Sequence, residues 1–222
     1  MNYNLVGNVF QSMQMTLEPG ESVFVKHGAL ICMDAGIHQS VVMNGSGFWR
    51  ILSAKLSGES IFLVKYTNTA DIPQTVVFSG KCSSIRPYSL TDGHTLILRR
   101  GDYVASDNQV CIDLHFSCNK MLKGTEPAFQ KIQGNAIIYF SYVDNLIEKE
   151  LQPGEELIVD EDCIKALYDI NDSQIRFQRQ TNAFRNIFSG EGLLLTRIVG
   201  PGIVYLNSVP YSANIHKHLK LR

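Results

Sequence analysis

The side chains best suited to metal or nucleophile chemistry are six histidines, His27, His38, His94, His115, His216 and His218, and five cysteines, Cys32, Cys82, Cys111, Cys118 and Cys163. Only His216-x-His218 has a metal-like spacing, because alternate residues of a strand share a face. It has no carboxylate or cysteine beside it, and a basic tail accounts for it. Cys111 and His115 would share one face of a strand, with Cys118 close by. A zinc site needs a second pair at firm spacing, and the sequence offers none. No GxSxG elbow and no GxGxxG turn occurs. Glu59 and Glu191 read as solvated turn residues rather than as an acid and base pair. The sequence therefore names no catalytic residue, no metal ligand and no cofactor site.

One set of cations stands out. Lys65, Lys131 and Arg197 lie at intervals of 66 residues, each followed within three positions by Asn or Gly. Were they to converge, three cations could hold a phosphate or a carboxylate. Strand-edge charges that discourage pairing are the plainer account.

Composition narrows the partners. The 222 residues are 45% hydrophobic and 18% charged, enough apolar side chain for a sizeable core. A net charge of -1 argues against nucleic acid, whose partners carry a basic excess. The N-terminus "MNYNLVGNVF" lacks the basic and long apolar segments of a secretory signal. The odd, irregularly spaced cysteines predict reduced, mostly buried thiols and a cytoplasmic protein.

The elements that must position any site are spelled three times. "LEPGESVFVKHGAL" (17–30) returns as "LTDGHTLILRRGDY" (90–103) and "LQPGEELIVDEDCI" (151–164). Each has Leu, two residues, Gly, then an apolar run of period two, the signature of a half-buried strand. Gly20, Gly93 and Gly154 sit where a turn wants φ > 0. Gly28, Gly101 and Asp162 mark a second turn. A later segment also repeats: Gly58, Gly124 and Gly190 open it, and Asn68, Gly134 and Gly200 close it. The chain thus reads as all-β. It forms a single domain, 1–222, of three pseudo-repeated antiparallel β units of β-sandwich or double-stranded β-helix type, with limits near 9–80, 81–141 and 142–212. Units this small cannot bury a core alone, so a pseudo-threefold packing is expected.

One stretch breaks the pattern. "GSGFWRILSAKLSGES" (45–60) carries Trp49, Leu52 and Leu56 at helical spacing, which predicts one short helix near residues 47–56. Phe48, Trp49, Leu52 and Leu56 would form either a cover over the core or a patch for a protein or membrane surface.

"LEPGESVFVKHGALICMD", "GSGFWRILSAKLSGESIFL", "LQPGEELIVD" and above all "GEGLLLTRIVGPGIVYLNS" (190–208) resemble the family named for altered inheritance of mitochondria, protein twenty-four. The resemblance implies an all-β fold grouped with the trp RNA-binding attenuation protein, and no catalytic motif. Its mitochondrial members are associated with inner-membrane organisation; this chain resembles a short bacterial-type member. The expected function is a non-enzymatic scaffold or binding protein. It would act as a homo-oligomer or on a protein or membrane surface. The alternatives are a small-anion or RNA-binding β protein and, last, a hydrolase.

Overall fold

The computed structural model describes residues 1–8, 10–43, 62–80, 83–115, 129–143, 145–179 and 194–210. Its elements are nearly all strands, as the period-two runs require. β1 (Asn2–Val6) precedes a first block: β2 (Ser12–Leu17), β3 (Ser22–Lys26), β4 (Leu30–Met33), β5 (Ile37–Met43), β6 (Phe62–Asn68) and β7 (Gln74–Ser79). The second block is β8 (Ser84–Leu90), β9 (Leu96–Arg99), β10 (Tyr103–Ser106), β11 (Cys111–His115), β12 (Phe129–Gln133) and β13 (Ala136–Tyr142). The third is β14 (Leu146–Leu151), β15 (Glu156–Asp160), β16 (Ile164–Tyr168), β17 (Ile175–Arg179), β18 (Leu194–Val199) and β19 (Gly202–Asn207). The helix expected near residues 47–56, with Phe48, Trp49, Leu52 and Leu56, lies outside the described residues.

The three blocks pair alike. In each, the sixth strand sits between the first and the third: β2-β7-β4, β8-β13-β10 and β14-β19-β16. The fifth sits between the second and the fourth: β3-β6-β5, β9-β12-β11 and β15-β18-β17. The strands within these sets are antiparallel. Each third strand skips one residue at the same place, giving a bulge at Ile31, Val104 and Lys165. Neighbouring blocks then join, β3 to β10 and β9 to β16. Four sheets result, ordered β1-β2-β7-β4, β5-β6-β3-β10-β13-β8, β11-β12-β9-β16-β19-β14 and β15-β18-β17.

Alternation along the joining strands stacks these sheets in series. Val23 and Val25 of β3 face the core between the first and second sheets, with Met13, Met15, Phe78 and Tyr66. Phe24 between them faces the next core, with Leu96, Leu98, Ile138 and Phe140. Ile97 of β9 turns to a third core, with Leu167, Val159, Ile198 and Val204. The middle sheets are thus apolar on both faces. Strands β9 and β10 are buried throughout, and β16 up to its last residue. A closed threefold arrangement would also join β15 to β4. Among the described residues those two strands make no such pair, so the joints run as an open series.

The turn chemistry matches the sequence signals. Glu21, His94 and Glu155 donate backbone N–H to the carbonyls of Glu18, Thr91 and Gln152, closing three like turns. Gly20, Gly93 and Gly154 take φ of 81°, 87° and 81° there, and Gly28, Gly101 and Gly134 are also at positive φ. Gly200 is held by space instead: a Cβ on it would stand 2.3 Å from the Gln152 carbonyl oxygen. Around Gly20 a Cβ would meet nothing within 4 Å. Gly20→Ala should therefore cost only the left-handed backbone term, about 1–2 kcal/mol. Gly200→Ala should cost clearly more, because backbone must move. Urea denaturation of the two variants checks the order.

Candidate functional site

The joints between blocks are where this chain concentrates buried polar chemistry. At the first, Lys26 ends β3 and its Nζ donates to the Gly101 carbonyl at 2.9 Å. Tyr103, buried in β10, donates its hydroxyl to the Phe24 carbonyl at 3.1 Å, which ties β10 back to β3. Burial pushes the Tyr103 hydroxyl well above its ordinary titration range.

At the second joint, Arg99 occupies in β9 the place of Lys26 in β3. Its Nε donates to the Ile164 carbonyl at 3.1 Å and its Nη2 to the Glu161 carbonyl at 2.5 Å. The guanidinium lies 5.1 Å from the Phe129 ring centre. Beside it, Lys165 Nζ stands 2.6 Å from Asp102 Oδ2, both side chains largely out of solvent. Ser141 donates to Asp102 Oδ1 at 3.3 Å. Burial pulls the Lys165 ammonium below its usual range, and the Asp102 charge opposes that pull. Lys165 occupies the bulge of β16, which is how a cation enters an otherwise apolar strand.

The cluster links β9 and the turn before β10 to β16. Its cations are spent on backbone carbonyls and on the carboxylates of Asp102 and, at 4.0 Å from Arg99, Asp162, so it locks two blocks together. The surface pair of His94 with Asp169 works similarly, tying the turn before β9 to the end of β16; His94 also stacks on Tyr168 with ring centres 5.5 Å apart. Among the described residues no group of three His, Cys, Asp or Glu side chains could hold a metal ion.

The three cations singled out in the sequence fall on the equivalent fifth strands of the three blocks, in three different sheets, Lys65 on β6, Lys131 on β12 and Arg197 on β18. Each has a local neighbour. Lys65 Nζ lies 5.8 Å from the Phe24 ring centre. Lys131 is opposite Asp113 in register. Arg197 Nη1 stands 3.1 Å from Glu156 Oε1. Sequence reasoning missed the Asp102 and Lys165 pair, although a lysine inside the apolar run "CIKALY" was its signal.

The cysteines need a correction. Cys32 is exposed and Cys111 and Cys163 are half-buried, not mostly buried as their apolar neighbours suggested. Cys32 lies on β4, where Leu30, Ile31 and Met33 are also exposed. At the opposite end of the stack Ile158 of β15 is 54% exposed.

Residues 3–209 match the model of the family described as mitochondrial biogenesis AIM24. The chain belongs to the mitochondrial biogenesis AIM24 family. A crystal structure of protein SPYM3_0169 from Streptococcus pyogenes has the same fold, with a TM-score of 0.69 at 17% identity, over 98% of this chain and 99% of that one. The comparison with curated proteins gave no match. Among the described residues no helix is long and apolar enough to cross a membrane. In this AIM24 family member the buried charged residues among those described, Arg99, Glu161 and Lys165, lie at the second joint.

The joint makes a clear demand on stability. Removing one partner of a buried pair strands the other charge, so Asp102→Ala or Lys165→Ala should each cost about 3–5 kcal/mol. The double variant should cost much less than their sum. Folding lowers the lysine's affinity for its proton below that of the unfolded chain. This group's contribution to stability therefore grows as pH rises toward 10.5. Denaturation curves at about pH 8 and pH 10, with Lys165→Met as the reference that lacks this slope, test both statements.

Proposed function

We propose that this chain is a non-enzymatic scaffold or binding protein that acts through its surface, by self-association or by docking to a protein or membrane surface. The observation that carries it is the exposed apolar side chains on two strands that end their sheets among the described residues, Leu30, Ile31 and Met33 on β4 and Ile158 on β15. Large apolar side chains grouped on an unpaired edge mark an interaction surface. The buried ionic groups, by contrast, are used in holding blocks together. A second reading, an anion or RNA site on Lys65, Lys131 and Arg197, draws on their equivalent positions alone. Fold kinship with the trp RNA-binding attenuation protein belongs to this proposal as well and carries no function with it, since function lives in sites.

A photo-crosslinking amino acid placed at Ile31, at Ile158 and, as control, at exposed Asp92 tests the scaffold role in living cells. Adducts are expected at Ile31 and Ile158 and not at Asp92. Adducts at neither edge, or equally at all three positions, would count against it.

A further inference from the structure

We infer that the two open edges are the two halves of one joint, so that β15 of one copy pairs with β4 of the next and the chain assembles head to tail. This deepens the scaffold proposal and rests on it, because it names the partner as a second copy of this chain.

The template occurs twice inside the molecule. In both internal joints the second strand of one block lies antiparallel to the third strand of the next. Val25 pairs with Ala105 and Phe24 with Ser106. Leu98 pairs with Ala166 and Ile97 with Leu167. Among the described residues, β15, the second strand of the third block, and β4, the third strand of the first, have no such partner. Superposing the registers sets Val159 opposite Cys32 and Ile158 opposite Met33.

The side chains at both ends are those of a joint lacking its partner. Ile158 holds the position of Phe24 and Ile97, which are buried, yet it is 54% exposed. Ile31 holds the bulge position of Val104 and Lys165. Those two are 4% and 3% exposed, whereas Ile31 is 55% exposed. Cys32 is exposed where Ala105 and Ala166 are wholly buried. An edge meant for solvent carries charge or proline. β4 carries Leu30, Ile31, Cys32 and Met33 with no charge, and β15 carries Leu157, Ile158 and Val159 between Glu156 and Asp160 at its ends. A second copy would cover each by continuing the sheet β17-β18-β15 into β4-β7-β2-β1, and the core between sheets would continue across the boundary.

One difference sets the strength of this contact. Lys26 and Arg99 clamp the turn of the following block at the internal joints. Asp160 stands in their place on β15 and accepts from its own neighbour, the Asp162 N–H at 3.0 Å. The joint between copies lacks that cation clamp and is expected to be weaker than the internal ones. Association should then depend on concentration. Such a contact is heterologous, so it ends as a ring if the rotation closes and as a filament if it does not.

The test uses the full chain in two exposed single variants, Met33→Asp on β4 and Ile158→Asp on β15, with circular dichroism confirming that both fold; two altered edges would set like charges opposite each other. Sedimentation velocity should show wild-type chain above the mass of one copy. Each variant alone should require a roughly tenfold or higher concentration to associate, since an unpaired charge would enter the joint. An equimolar mixture should form a two-chain species, because one variant keeps a sound β15 edge and the other a sound β4 edge. Wild-type protein of single-chain mass at every concentration would overturn the inference. So would self-association of either variant at wild-type strength, which denotes a symmetric contact of one edge with itself. Crosslinks from Ile31 and Ile158 to some other macromolecule, with single-chain wild type, would reject the head-to-tail joint and leave the scaffold role standing.

Discussion

A short antiparallel ladder between one block and the next governs how this molecule is put together. At the first joint Phe24 pairs with Ser106 and Val25 with Ala105. At the second, Leu96 pairs with Tyr168, Ile97 with Leu167 and Leu98 with Ala166. So short a ladder supplies little energy by itself. Its importance is geometric: it merges three strands of one block with three of the next into a single sheet. That sheet then has an apolar layer on each face, because successive side chains of a strand point to opposite sides. A strand such as β9 feeds two cores at once, Leu96 and Leu98 into one and Ile97 into the other. Fully burying one such side chain is worth about 1.5–3 kcal/mol, so the cores on either side hold the joint closed.

The polar groups fit this constraint. Lys26 and Arg99 end the joining strands and reach carbonyls of the turn beyond. The bulge lets Lys165 meet Asp102 without breaking the neighbouring ladder. A buried ion pair is a weak source of net stability, since desolvation offsets most of its attraction. Its use here is to make one alignment of the two blocks satisfactory and shifted ones costly. The same geometry bears on the ends of the series: the first and last sheets have the strands of a joint, and among the described residues no strand completes it.

Much of this was legible in the residues. Period-two runs placed the strands, and Pro-Gly or Asp-Gly pairs placed the turns that Gly20, Gly93 and Gly154 make. The equivalence of Lys65, Lys131 and Arg197 was also readable, since all three occupy matching places on β6, β12 and β18. Their neighbours were not, because Phe24, Asp113 and Glu156 come from strands distant in sequence or from across a ladder. The exposure of Cys32 was hidden for a related reason. Its apolar surroundings in "ALICM" are those of a buried strand, and burial depends on what lies over the strand.

The sequence by itself determined the all-β class, the turn positions and the alternation that gives each strand two distinct faces, because these depend on local backbone preference and side-chain period. Only the tertiary structure decided which strands join, that the joints run as an open series, and that Ile31, Cys32 and Ile158 stand uncovered. Those outcomes depend on pairing between residues far apart in the chain, as Val25 is from Ala105 and Leu98 from Ala166. No local preference encodes which edge finds a neighbour.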